Sequence, residues 1–184
     1  MAKKEPKRDI KVVNIVVSAS LEHDIPLEKM AATLSNTEYN PEQFPGLVIR
    51  IKEPKTSALI FSSGKIVCTG ARSMEKVEES IKKIIKSLEK INVKITVKPV
   101  VNIQNIVASG SVGMDLNLNT LAMKLENVEY EPEQFPGLVY KLKEAKATFL
   151  LFSNGKVVCT GTKSEKEVHR ALDMLIANLK KVKA

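Results

Sequence analysis

The sequence predicts an α+β fold of about ten antiparallel strands and four main helices, built from one unit of roughly 90 residues used twice. The first observation behind this is an internal repeat. Residues 39–70 (YNPEQFPGLVIRIKEPKTSALIFSSGKIVCTG) lie over residues 130–161 (YEPEQFPGLVYKLKEAKATFLLFSNGKVVCTG) at an offset of 91 without a gap, identical at 21 of 32 positions. The offset extends back to Asn14-Ile15-Val16 over Asn105-Ile106-Val107, and forward to Val77, Ile81, Ile84 and Leu88 over Val168, Leu172, Leu175 and Leu179. Two copies are too few for a solenoid, so a closed pseudo-twofold pair is the simplest arrangement. The second observation is strand-like alternation in the repeated stretch, and the third is a pair of helical apolar stripes in each copy.

In chain order, Ile10–Ser20 reads as a strand from its β-branched content. Asp24 is placed as a helix N-cap, with Pro26 in the first turn. Leu27, Met30, Ala31 and Leu34 then form a stripe running to about Asn36. Thr37–Asn40 is a short strand and Leu47–Lys52 an alternating one. Glu53-Pro54-Lys55 is a turn, Ser57–Phe61 a strand, Ser62-Ser63-Gly64 a hairpin connection and Lys65–Gly70 the return strand. Ser73 caps a helix to about Lys90. The second copy begins inside a long β-rich stretch, Val93–Ser111, and keeps the same order. Its first helix is expected near Asn117–Glu126, and its last opens on a capping box at Ser164–Glu167. No Gly-, Ser- or Pro-rich linker separates the copies. The expected division is a basic tail over 1–9, repeat one over 10–91 and repeat two over 92–184, forming one continuous domain.

Composition restricts the function classes. No run of 18 apolar residues is present, so no membrane span is expected. The charged start MAKKEPKRDIK has no apolar run after it and reads as a short tail rather than a signal peptide. Cys68 and Cys159 are repeat mates, expected as buried thiols rather than a disulfide. With two histidines at unrelated spacing they make no metal motif, and no cofactor is implied. The chain has no Gly-rich phosphate loop and no nucleophile–base pair, so it is not expected to be an enzyme. His23 and His169 read as surface residues, and Glu78-Glu79 as a solvated helix face. A net charge of +8 and a pI near 9.4 favour an anionic partner, nucleic acid or membrane surface, or simply a lysine-rich soluble surface.

Side-chain parity singles out the face turned away from the helices. Leu47, Ile49, Ile51, Ala58, Ile60, Ile66 and Cys68 are assigned to the helix side. The opposite face then carries Val16, Val48, Leu59, Phe61 and Val67, with Asn14, Arg50, Lys65 and Thr69 among them. In repeat two it carries Val107, Val139, Leu150, Phe152 and Val158. A face open to water should be polar, so this one marks a binding surface. Four of the five phenylalanines are repeat mates at hairpin ends: Phe44 with Phe135 and Phe61 with Phe152. Asn14 and Asn105 sit in β-branched strands, where Asn is disfavoured, and inside an apolar face their amides need partners.

A DNA minor groove fits this set. Its A·T floor offers acceptors to two amides and to the hydroxyls of Thr69 and Thr160. Phenylalanines at the two ends can wedge between base steps, and Arg50, Lys65, Lys141 and Lys156 can meet phosphates. The competing reading is a sheet that binds a small ligand or a protein, with no dependence on DNA sequence or salt.

At these residues the chain resembles the TATA-box-binding proteins of archaea and eukaryotes. VNIV and QNIV, the YxPEQFPGLV pair, LIFSSGK with LLFSNGK, and both VCTG segments carry the resemblance over about residues 10–182. The short N-terminal tail and the similarity of the repeats look like the archaeal branch. The resemblance implies a saddle, a continuous curved sheet with DNA beneath and helices above. It implies a general initiation factor that binds and bends A·T-rich promoter DNA through the minor groove, for which this family is itself the reference case. Phe44, Phe61, Phe135 and Phe152 would intercalate. Asn14, Asn105, Thr69, Thr160, Val16, Val107, Val67, Val158, Leu59 and Leu150 would contact bases. Transcription factor B would dock near Glu131, Glu133 and Gln134, with RNA polymerase recruited indirectly. The location implied is the cytoplasm, at the nucleoid, for an archaeal source, or the nucleus for a eukaryotic one. A homodimer in the absence of DNA is a further expectation. The mixed helix that carries Glu75, Glu78 and Glu79 before Lys82, Lys83 and Lys86 departs from the basic helix of eukaryotic members.

Overall fold

A computed structural model of the chain describes residues 9–183, so most of the expected tail lies outside the described residues. The ten-stranded antiparallel sheet and four helices expected from the sequence are present, five strands and two helices from each repeat. The chain divides into two compact units. One is Asn14–Gln104, and the other joins the described residues from Asn105 onward to the described residues before Asn14.

In the first unit the elements are β1 (Asp9–Ser20, entering from the other unit), α1 (Leu27–Thr33), β2 (Thr37–Glu38), β3 (Leu47–Ile51), β4 (Thr56–Ile60), β5 (Lys65–Ala71) and α2 (Met74–Lys90). Its strands are ordered β2-β3-β4-β5-β1. Leu47, Ile49, Ile51, Ala58, Ile60, Ile66 and Cys68 are buried, and the α2 stripe of Val77, Ile81, Ile84 and Leu88 is buried with them. The alternation read from sequence is therefore the core. Ser73 caps α2 as expected, accepting from the Lys76 N–H at 3.2 Å.

The second unit repeats this with β6 (Asn102–Ser111), α3 (Leu118–Lys124), β7 (Val128–Glu129), β8 (Leu138–Leu142), β9 (Ala147–Leu151), β10 (Lys156–Thr162) and α4 (Glu165–Lys183), in the order β6-β10-β9-β8-β7. Val168, Leu172, Leu175 and Leu179 of α4 are buried. The thiols of Cys68 and Cys159 are free and buried. His23 and His169 are exposed.

Several local expectations are corrected or refined. Asp24 does not cap α1: the cap position is Pro26, whose ring offers no side-chain acceptor, and the helix ends at Thr33 because Leu34 is already extended. The repeat mate of Pro26 is Asn117, which does cap α3, accepting from the Thr120 N–H at 3.1 Å. Within the β-rich stretch Val93–Ser111 the strand itself begins at Asn102, after Pro99, which lacks the N–H a ladder needs. The fourth strand runs Thr56–Ile60, and Phe61 has already left it for the turn. In the capping box of α4, Ser164 accepts from the Glu167 N–H at 3.1 Å. The Glu167 carboxylate reaches past the cap to the Lys163 N–H, at 2.8 Å. Where repeat one makes the turn after β3, repeat two makes a one-turn 3₁₀ helix, Lys143–Ala145.

Candidate nucleic-acid interface

The face opposite the helices is built row by row from strand register. Glu38, Val48, Leu59, Val67 and Ser18 stand opposite one another in turn across the first half-sheet. Glu129, Val139, Leu150, Val158 and Ser109 repeat the row in the second. Its valines and leucines, with Val16 and Val107, are half-buried, unlike the fully buried residues on the helix side. The next row is polar, Arg50–Ser57–Thr69 in one unit and Lys141–Thr148–Thr160 in the other.

Each polar row ends at an asparagine held by a clamp that the sequence did not reveal. The pairing of β1 with β5 shifts register between Ile15 and Val17, where Thr69 and Gly70 together face one residue of β1. Gly70 takes φ +100°, a conformation that suits glycine, and its N–H donates to Asn14 Oδ1. Asn14 Nδ2 donates to Thr69 Oγ1 at 3.1 Å. Repeat two does the same: Gly161, at φ +95°, donates to Asn105 Oδ1 at 2.7 Å, and Asn105 Nδ2 donates to Thr160 Oγ1 at 2.9 Å. A backbone N–H can only donate, so it fixes which end of each amide is oxygen. The amide NH₂ is thereby turned to the threonine with a second hydrogen still to give. These amides are partnered, as an apolar setting demands, with the Thr69 hydroxyl also 3.3 Å from Asn14 Oδ1, and each clamp keeps an amide hydrogen to donate.

At the sheet ends the phenylalanines pair edge to face. Phe44 and Phe61 have centroids 5.9 Å apart, and so do Phe135 and Phe152. Phe44 and Phe135 are each 43% exposed, a large apolar area left to water. Tight turns hold them: the Phe44 N–H bonds to the Asn40 carbonyl and the Phe135 N–H to the Glu131 carbonyl, both at 3.0 Å. The seat under each pair is a glycine. A Cβ on Gly46 would come within 2.7 Å of the Phe44 ring and 3.1 Å of Phe61. On Gly137 it would meet Phe135 at 2.8 Å and Phe152 at 3.1 Å. Sequence reading missed the roles of all four glycines. The available signal was their recurrence in both copies, as Pro-Gly and Thr-Gly.

Among the expected rim cations, Arg50, Lys65, Lys141 and Lys156 are all exposed. Arg50 is also paired, its Nη1 lying 3.3 Å from Glu38 Oε2, an exposed contact of little energetic weight. Glu131, Glu133 and Gln134 are exposed in the turn before Phe135. Burial pushes the thiols of Cys68 and Cys159 up from 9.0 to about 11, Cys159 despite a hydrogen bond with Thr162 that opposes the shift. They are inert core groups. Among the described residues no group of three or more His, Cys, Asp or Glu is placed to hold a metal ion, and no helix is long and apolar enough to cross a membrane.

The family model described as "Transcription factor TFIID (or TATA-binding protein, TBP)" matches residues 9–91 and again 100–182. The chain is 50% identical to the TATA-box-binding protein of Methanocaldococcus jannaschii over 174 residues, covering 95% of each. It is 51% identical to that of Methanothermobacter thermautotrophicus over 171 residues, 93% of this chain and 94% of the relative. A solved structure of Methanococcus jannaschii TBP superposes with a TM-score of 0.89, covering 94% of this chain and 99% of that one at 50% identity. All ten strands and both clamps lie inside the matched segments, and the chain therefore belongs to the TATA-box-binding protein family of transcription initiation factors.

Proposed function

We propose that the two repeats together bind A·T-rich promoter DNA in the minor groove and kink it at two places. The observation that carries this reading is the duplicated Asn–Thr–Gly clamp, an oriented hydrogen-bond donor set inside an apolar face. Asn14 with Thr69 and Asn105 with Thr160 donate to adenine N3 and thymine O2, the acceptors that A·T pairs expose. Val16, Val67, Val107, Val158, Leu59 and Leu150 lie against the base edges, where a guanine amino group would be crowded and unpaired. Phe44 with Phe61, and Phe135 with Phe152, wedge into base steps at either end, the mode of which this family is the reference case. Lys65, Lys141 and Lys156 neutralise phosphates, and Arg50 does so once it exchanges Glu38 for a phosphate oxygen.

Bound DNA is the platform for initiation. The exposed acidic turn at Glu131, Glu133 and Gln134 is the docking site for transcription factor B, through which RNA polymerase is recruited at the chromosome in the cytoplasm. Without DNA the same apolar face supports self-association of two copies.

A selection from randomised duplexes, read by sequencing, tests the reading. An A·T-rich TATA-like consensus is expected, and enrichment of no sequence would overturn it. The selected duplex, labelled at both ends, should shorten end to end on binding.

A further inference from the structure

A cleft opens at the C-terminal end of β1, beside the segment that follows α2. The cleft has a volume of about 450 Å³, and Ser18, Ser20, Ser63, Lys65, Lys98 and Asn102 supply most of its polar lining. Its floor belongs to the open face. Ser18 stands opposite Val67 and Ser20 opposite Lys65, so these residues continue the row of half-buried valines toward the sheet end. Its wall comes from the segment after α2, where Val97, Lys98 and Val100 line the cleft and Val100 is 74% exposed.

From the chemistry of this lining we propose that the cleft is a phosphodiester-binding site of the bound duplex, in which Lys98 supplies a backbone contact beyond the groove surface. The proposal rests on the minor-groove reading above. The lining is rich in donors. Ser18 Oγ accepts from Gln104 Nε2 at 2.8 Å and Ser20 Oγ accepts from the Glu22 N–H at 3.2 Å. Each hydroxyl serves there as an acceptor, which leaves its proton to donate outward. Those two O–H groups, the Asn102 amide and two ammonium groups outweigh the single acid of the lining, Glu22. A phosphate oxygen accepts from such groups and carries the charge that Lys65 and Lys98 require. In the duplication the position of Lys98 falls on Lys7, outside the described residues, and that of Asn102 falls on Lys11.

The test uses the full chain and a TATA-containing duplex. Lys98→Ala is compared with Lys94→Ala, an exposed lysine of the same segment that does not line the cleft. For Lys98→Ala the slope of log affinity against log salt should shrink by about 0.9, the value for one phosphate contact, while the preferred sequence is unchanged. Lys98→Arg should restore the slope, and Lys94→Ala should leave it as in the parent. A set of duplexes, each with one neutral methylphosphonate, should show one position to which the parent is sensitive and Lys98→Ala is not. A Lys98→Ala protein with the parental slope and methylphosphonate profile would overturn the proposal and leave the groove reading intact. Failure of the parent to prefer any sequence would instead sink the groove reading.

Discussion

At the residue scale, the amide orientation in each clamp gives the sharpest expectation. Asn14→Ala or Asn105→Ala removes a donor and leaves a base acceptor unpaired, which should weaken binding by about 1 kcal/mol or more. Asn14→Asp should be worse than Asn14→Ala. The carboxylate keeps the bond from the Gly70 N–H but turns a negative acceptor toward the acceptors of the groove floor. Equal losses from the two substitutions, measured by titration of a labelled TATA duplex, would count against the clamp as a donor. The thiols give a second expectation. Cys68 and Cys159 have folded pKa values near 11 against 9.0 for a free thiol, so folding favours their neutral form. That contribution is complete below pH 9 and is lost as pH rises through 11. Iodoacetamide at pH 8 should label the unfolded chain readily and the folded one slowly, as followed by mass spectrometry.

At the scale of elements, two glycines separate stability from function. Gly70→Ala forces an L residue to φ +100° and brings its Cβ within 3.2 Å of the Lys55 carbonyl. A loss of about 1–2 kcal/mol of stability is expected, together with weaker DNA binding, because the bulge that aims the Gly70 N–H is disturbed. Gly46→Ala acts elsewhere. Its Cβ meets the Phe44 ring, a side chain that can swing away. Denaturant midpoints should move little, while end-to-end shortening of the duplex diminishes as it does for Phe44→Ala. Full shortening with either substitution would rule out the wedge role of this pair. Much of this scale was legible in the sequence. The alternation of Leu47–Ile51 and the α2 stripe are periodic, and burial follows period directly. Less legible were places where one residue's neighbour matters more than its pattern. Val93–Val101 looks β-rich, yet Pro99 denies it a ladder, and Asp24 looks like a cap until Pro26 occupies the cap position.

At the scale of the whole molecule, the expected behaviour is electrostatic and directional. If about six phosphates are neutralised, affinity should fall on the order of 10³-fold between 50 and 200 mM salt. A protein whose apolar face binds a small ligand or another protein would show no such dependence. Direction on a nearly symmetric site has to come from differences between the repeats. Ala58 against Phe149 is one such difference in sequence, but Phe149 is 0% exposed on the helix side, so it touches no ligand on the open face. Differences on the surface include Asn40 against Glu131, Ser57 against Thr148, and Arg50 with its Glu38 partner against Lys141.

By itself the sequence determined the duplication, the two faces of the sheet and the identity of the phenylalanines and asparagines on the open one. These follow from identity at a fixed offset and from period, which need no knowledge of what lies beside a residue in space. Only the tertiary structure decided how those residues are held. Gly70 and Asn14 are 56 positions apart in the chain, and a bulge brings the N–H of one to the amide of the other. Which end of the amide is oxygen follows from that contact, because a backbone N–H donates and never accepts.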